Sequence, residues 1–378
     1  MIRTFKSKIR INKKTEANCL HWLAMCRTLY NLALEQRIIL WKQSRKSMSY
    51  YDQAYQLSEF KREFPDFKFI DAQCLRDSVF RLDKAYQGFF RGIKNGEKVG
   101  FPRFKSKSRY DSFTLYQNSW KLEGKYLIVR NLGRFKLFLS RPIEGTIKTI
   151  TIKRTPTNKW FVSFSCNNIL NNGYPKTDKE VGIDVGIKNF CVDSEGKVIG
   201  NPKYYENSLK VLLRRQRALS RKKKGAQNRE DAKLLVAKTH EKITNQRKDF
   251  LHKTANYYIE NYQTIYIENL NIKNMIKNKY LSRNIADSSW GMFFDFLSYK
   301  AEGADREVIK VKPQGTSQIC SGCNEKVPKS LSVRIHKCPN CGLILDRDLN
   351  AAINIKTFGQ KVQMLNSICC LSENYRSK

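Results

Sequence analysis

The chain has 378 residues, and 71 Lys+Arg against 34 Asp+Glu leave a formal charge of +37 and a pI near 9.9. That balance argues against a small-molecule enzyme of neutral or acidic character, and in a compact state it asks for a polyanion, most often nucleic acid. With 41% hydrophobic and 12% aromatic residues the chain can build packed cores, so disorder is not its main state, and the length suits two or three domains. A ribosome-like structural protein or a membrane-surface binder is the plainer alternative.

No apolar run reaches the roughly 18 residues of a membrane span. Met1-Ile2-Arg3-Thr4-Phe5-Lys6 lacks the apolar stretch of a signal peptide, so a cytoplasmic protein without membrane contact is expected. The eleven cysteines are an odd number, which fits a reducing compartment. Cys19, Cys26, Cys74, Cys166 and Cys191 lie in apolar periodic segments and read as small core residues.

Residues 1–11 alternate apolar and basic as a short strand. A long amphipathic helix starts near Thr15-Glu16 and carries Leu23, Cys26, Tyr30, Ala33 and Arg37 past Trp41. The clearest helix runs from about Ala72 to Ile93, with Leu75, Val79, Leu82, Tyr86, Phe89 and Ile93 on one stripe. Its polar face holds Arg76, Arg81, Lys84, Arg91 and Lys94, and the basic-aromatic stretch with Arg103 and Lys105 follows, so a groove tracking a phosphate backbone is expected there.

Residues 110 to 166 change to period two and read as a small antiparallel barrel or sandwich, with a hairpin at Thr155-Pro156-Thr157-Asn158. Asn171-Asn172-Gly173-Tyr174-Pro175 marks a linker. Strands at Val181–Gly186 and Phe190–Val192 open the next unit, followed by a helical region from Ser208 to Tyr262 broken at Gly225. That region carries Arg214, Arg221, Lys222, Arg247 and Lys248, a second expected phosphate track.

Cys320-Ser321-Gly322-Cys323 and Cys338-Pro339-Asn340-Cys341 are two C-x2-C knuckles. Two residues between cysteines let both thiolates face one ion, and two knuckles complete a tetrahedral, structural Zn²⁺ site without an open position. Gly342 follows the second knuckle; the first is followed by Asn324, which also tolerates the left-handed conformation.

Three acids stand in apolar surroundings: Asp184 in Val181–Gly186, Glu268 in Ile265–Asn269, and Asp348 in Asp346–Ala352. Each alone has an ordinary explanation, as a buried ion-pair partner, a strand-end cap and a helix N-cap respectively. Together, in the order strand, strand, helix, they match a site for two Mg²⁺ ions acting on a phosphodiester. Ala351 and Ala352 would let the helix approach the sheet closely.

These segments, with Thr316-Ser317-Gln318 before the first knuckle and Gly100-Phe101-Pro102-Arg103-Phe104-Lys105 upstream, resemble the TnpB (OrfB) proteins of insertion sequences, compact relatives of type V CRISPR effector nucleases. The resemblance covers nearly the whole chain. It implies an α+β multi-domain protein: a wedge strand (1–13), a helical recognition domain (14–100), a wedge β-barrel (101–172), an RNase H-like RuvC nuclease domain (173–312, resumed at 344–360) and an inserted zinc ribbon (313–343). The chain's own composition reads as a disordered tail over 361–378.

It also implies an RNA-guided DNA endonuclease of prokaryotic, nucleoid-associated location. Asp184, Glu268 and Asp348 match the family's catalytic, Mg²⁺-binding acids, and Cys320, Cys323, Cys338 and Cys341 its zinc ligands; Asp346 is the lesser candidate, since the family's catalytic Asp stands directly before x-Asn-Ala-Ala. The implied partners are a guide RNA from the element's end and target double-stranded DNA beside a short duplex motif. A monomer is expected, but the sequence itself leaves monomer and dimer open. An unguided structure-specific nuclease and a DNA-binding regulator share many of these features. Strand transfer by a nucleophilic tyrosine finds no flanking histidine pair among the four His.

Overall fold

The computed structural model describes residues 2–168, 174–330 and 333–376, with side chains through 365. The chain forms two compact units, Met1–Leu170 and Asn171–Lys378. Of the expected linker, Asn171, Asn172 and Gly173 lie outside the described residues.

In the first unit, strand β1 (Arg3–Arg10) turns Phe5, Ser7 and Ile9 inward and its lysines outward, the period of a half-buried strand. Helix α1 (Lys13–Ser44) starts where the Asn12 side chain accepts the Thr15 N–H at 2.7 Å, and ends where Arg45 turns left-handed at φ 55°. Helix α2 (Tyr50–Glu63) was not legible as a separate element, although Ser49 and Asp52 form a capping box at its start. Helix α3 (Ala72–Lys94) is capped by Asp71, which accepts the Gln73 and Cys74 N–H groups.

Strands β2 (Ser112–Tyr116), β3 (Trp120–Glu123), β4 (Tyr126–Val129), β5 (Gly133–Phe138), β6 (Thr146–Arg154) and β7 (Trp160–Asn167) follow. They join β1 in a seven-stranded antiparallel sheet of order β2-β6-β7-β1-β5-β4-β3, barrel-like and nearly closed. Asn158 takes φ 61° in the tight turn between β6 and β7. Phe113, Leu115, Phe135, Ile150, Ile152 and Phe164 fill the core, and Trp22 of α1 meets Phe113 at 5.7 Å between ring centroids. Cys19, Cys26, Cys74 and Cys166 are buried here; burial pushes the Cys19 and Cys26 thiols up to about 12, the behaviour of inert core residues.

The second unit begins with the meander β8 (Glu180–Val185), β9 (Asn189–Asp193) and β10 (Val198–Gly200), then a helical pair α4 (Tyr204–Ser220) and α5 (Gln227–Asn261), with Gly225 at φ 88° in the break between them. Strand β11 (Thr264–Glu268), short helices α6 (Ile272–Met275) and α7 (Ser282–Ser288), helix α8 (Trp290–Ala304) and strand β12 (Glu307–Val311) come next. The two-stranded β13 (Ile335–Lys337) and β14 (Ile344–Asp346) lead into α9 (Arg347–Arg376). Residues 361–376, expected as a disordered tail, continue α9 instead: no Pro or Gly interrupts the helix after Gly359.

The main sheet runs β10-β9-β8-β11-β12, with β9 antiparallel to both its neighbours and β8, β11 and β12 mutually parallel. Thr264, Ile265, Tyr266 and Ile267 of β11 are all buried, the pattern of a parallel strand covered on both faces. Helix α9 lies on β8 and β11 at very short range, and two glycines make that possible. A Cβ on Gly182 would stand 2.2 Å from the Ala352 carbonyl oxygen and 2.6 Å from the Lys356 nitrogen; one on Gly359 would stand 2.0 Å from the Tyr266 ring. Ala351 and Ala352 are fully buried at this contact.

Candidate functional site

The pairing of β8 with β11 puts Ile183 opposite Ile267, so Asp184 and Glu268, the next residue on each strand, come side by side at the same sheet end and on the same face. Asp348 reaches them from the first turn of α9, which the close helix packing brings over that end. All three carboxylates are half-buried. Desolvation foremost, then the charges of Glu268 and Asp348, raise the Asp184 pKa well above the ordinary carboxylate range, against the pull of the Arg347 guanidinium. Desolvation likewise raises Glu268.

Among the described residues, the three carboxylates do not bring even one oxygen each within 4.8 Å of one another, whereas the four thiols do. A two-ion site does not require it: with ions about 3.5–4 Å apart and ligands about 2 Å from each, outer ligands spread wider than that. The donors fit such a site. Hard oxygens crowd one sheet end, and their mutual repulsion is relieved by cations.

Asp346 and Asp348 divide two tasks. The Asp346 side chain accepts the N–H groups of Asp348 at 2.8 Å and Leu349 at 3.3 Å, so Asp346 caps the helix. The cap expected of Asp348 is therefore supplied elsewhere, and its carboxylate is left to the cluster, steadied by Arg347 at 3.1 Å and Arg334 at 3.8 Å.

Three polar residues in this region escaped sequence reasoning as contributors to the site. Buried Thr316 donates its hydroxyl to Glu268 Oε1 at 2.6 Å. Asn350 and Asn354, both buried, use their side-chain amides to hold the backbone of residues 316–321. The available signal was two asparagines four residues apart in a helix otherwise rich in Ala and Ile there, a spacing that puts both on one face.

The four cysteines come together. Cys320 and Cys341 sulfurs lie 3.6 Å apart, Cys323 and Cys338 3.5 Å, near the ~3.8 Å edge of a tetrahedron with Zn–S of ~2.3 Å. The knuckles repeat one geometry: the Asn324 N–H donates to Cys320 O at 2.9 Å and the Gly342 N–H to Cys338 O at 3.1 Å, with φ of 63° and 74° respectively. Asn324 thus takes the conformation a glycine would. Hydrogen bonding, led by the Glu325 backbone, holds the Cys323 thiol down at about 7, which favours the thiolate a metal needs.

Of the expected nucleic-acid contacts, Arg76, Lys84, Arg91 and Arg103 in the first unit and Arg214, Arg221, Lys222 and Lys248 in the second are exposed. Lys105 is half-buried, its backbone held in both directions by Asn31 and its ammonium 5.5 Å from the Tyr30 ring centre. Arg247 departs from the expectation. Its guanidinium is 2.8 Å from Asp287, which also accepts the Tyr205 and Glu206 N–H groups, so Arg247 ties α5 to α7 and to the start of α4.

Comparison with known proteins agrees with this architecture. A family model described as "Probable transposase" (OrfB_IS605) matches residues 167–279, a Cas12f1-like TNB domain matches 290–355, and an OrfB_IS605 "Helix-turn-helix domain" matches 1–46. In this chain residues 1–46 hold one strand and one continuous helix. A Streptomyces pristinaespiralis protein named "Putative RNA-guided DNA endonuclease" is 32% identical over 94% of this chain and 89% of its own length. An Escherichia coli K12 protein named "Putative RNA-guided DNA endonuclease InsQ" is 29% identical over 96% and 93%.

Among solved structures, the Cas12f1–sgRNA–target DNA complex aligns with TM-score 0.57 and 18% identity over 90% of this chain and 82% of that one. The mini RNA-guided endonuclease Cas-phi3 aligns with TM-score 0.54 and 10% identity over 95% and 92%. These two share the fold. On the strength of the full-length sequence match, the chain belongs to the TnpB (OrfB) family of insertion-sequence proteins.

Proposed function

We propose that this protein is an RNA-guided DNA endonuclease of a transposable element, cutting DNA with a RuvC-type, RNase H-like domain that occupies the second unit. The observation that carries the proposal is the meeting of Asp184, Glu268 and Asp348 at one end of the β8–β11 pair. Support comes from the sheet order, an antiparallel meander continued by parallel strands, and from the names of the full-length relatives. Guide RNA and target DNA as partners fit the charge of +37.

In this mechanism Asp184 and Glu268 hold the cation end of the site from the rigid sheet, and Asp348 closes it from the helix. Two Mg²⁺ ions bound there would supply Lewis acidity toward the scissile phosphate and lower the pKa of water. Arg347 keeps Asp348 oriented, and Asp346 keeps the helix start in place without taking part. The exposed Lys and Arg of both units would follow the phosphate backbone and set affinity with a strong salt dependence.

Zn²⁺ is assigned to Cys320, Cys323, Cys338 and Cys341 as a structural ion in a ribbon fold. Its removal by chelation lowers the melting temperature of the second unit; unchanged melting after complete zinc loss, measured by metal analysis, rejects the assignment.

The test of the function is to purify the protein from cells carrying its native locus and to sequence the RNA that accompanies it. A single discrete RNA running from the element's end into flanking sequence is expected, and programming it should direct Mg²⁺-dependent cleavage of a matching duplex. Heterogeneous RNA, or cleavage indifferent to the guide, moves the protein to an unguided nuclease; no cleavage with Mg²⁺ moves it to a DNA-binding regulator.

A further inference from the structure

Residues 315–321 touch both candidate sites. The loop turns at Gly315, whose φ is 86°, and the N–H groups of Gln318 and Ile319 donate to its carbonyl at 2.9 and 2.8 Å. Thr316 then points its hydroxyl at Glu268, while Ser321, at the loop's end, sits inside the first C-x2-C knuckle.

We propose that Thr316 is a positioning residue for Glu268, locked in place by Asn354 and Asn350 of α9, so that the cysteine knuckle and the carboxylate cluster share one register. The proposal rests on the assignment of the three carboxylates as the cation site. A glutamate on a strand end has three side-chain torsions, and without a partner its two oxygens sweep a wide arc. The Thr316 hydroxyl, 2.6 Å from Oε1, takes one oxygen and aims the other. Its alternative acceptor, the Pro313 carbonyl, is 3.4 Å away, so the hydroxyl proton goes to Glu268.

Thr316 cannot drift, because its own carbonyl accepts the Asn354 amide at 2.8 Å. The same amide donates to Ile319 O at 2.7 Å, and the Asn350 amide donates to that carbonyl at 2.8 Å. The Asn350 oxygen accepts the Ser321 N–H at 3.0 Å, one residue beyond Cys320. Asn350 in turn lies on the helix that presents Asp348. Apolar side chains would fill this space without any need for partners, whereas a buried amide is tolerated only when its bonds are satisfied. A satisfied network joining a carboxylate, a loop, a knuckle and a helix serves to fix their relative positions.

The experiment uses the full-length protein with its zinc and its co-purified RNA, as parent, Thr316→Val, Thr316→Ser and Glu268→Gln. Half-saturating Mg²⁺ for cleavage and direct Mn²⁺ binding by electron paramagnetic resonance are measured, with zinc content and melting temperature as folding controls. Thr316→Val is expected to raise the half-saturating Mg²⁺ and weaken Mn²⁺ binding by about tenfold, with the rate at saturating metal much less changed, and Thr316→Ser to return both to parental values. Should Val disturb folding, Thr316→Ala is read in the same way. Parental metal dependence in Thr316→Val, beside an inactive Glu268→Gln, overturns the positioning role and leaves the cation site standing. Parental cleavage and Mn²⁺ binding in Glu268→Gln would bring down the cation site itself, and the positioning role with it.

Discussion

Replacing Asp184, Glu268 or Asp348 with Ala will reduce cleavage of a guide-matched duplex by at least ~10³-fold, the scale of losing several kcal/mol of charge stabilisation at the scissile phosphate. Retention of the co-purified RNA and of zinc will show that the loss is local: among the described residues these acids make their contacts to Thr316, Arg347 and Arg334, not to a cysteine. At Asp184 the loss of the carboxylate should not cost stability either. Asp184 has a raised folded-state pKa, so without added metal its contribution is fully present below the ordinary carboxylate pKa and is lost as pH rises through the raised value. Asp184→Asn should therefore melt no lower than the parent in metal-free buffer near neutral pH, and with a flatter pH dependence. Cleavage at the parental rate by all three Ala variants would discard the triad.

Gly182→Ala is expected to be the most damaging small substitution outside the acids. Its Cβ would sit 2.2 Å from a carbonyl oxygen and 2.6 Å from a backbone nitrogen, both in α9, where no side chain can rotate aside. The helix has to lift, and overpacking of this kind costs ~1–3 kcal/mol, or several degrees of melting temperature for a unit of this size. Because α9 also carries Asp348, a shift of about 1 Å should cost cleavage about 100-fold. Gly359→Ala, against the Tyr266 ring, tests the same contact farther from the acids and should lower melting with a smaller effect on cleavage. Parental melting and cleavage by Gly182→Ala would show that α9 is not held where the structure has it.

What could be read from the sequence was whatever one side chain or one spacing announces. Cys320, Cys323, Cys338 and Cys341 declare a four-thiol cluster by interval alone, and the thiols do converge. The stripe from Leu75 to Ile93 declared α3, and strand-period segments declared β4 to β7. Helix α2 was hidden because its exposed face carries Tyr51 and Tyr55, which blur the apolar stripe. Asp346 and Asp348 could not be separated by spacing, since a cap and a metal ligand both ask for an acid at a helix start; the hydrogen bonds from Asp348 and Leu349 to Asp346 separate their roles. Arg247 looked like its neighbours in a basic run, and only the approach of Asp287 from another helix distinguishes it. The bond from Thr316 to Glu268 was invisible for the same reason: the two residues lie far apart in sequence.

The order of the chain gives the close seat of α9 a consequence during synthesis. Strands β8 and β11, with two of the acids, leave the ribosome well before the helix that brings the third and covers their sheet. Until then Gly182 and Tyr266 face water as an open seam, and the cluster lacks the carboxylate that closes it. A chain halted anywhere between the first knuckle and Asp348 has its basic surfaces and two acids but no complete site.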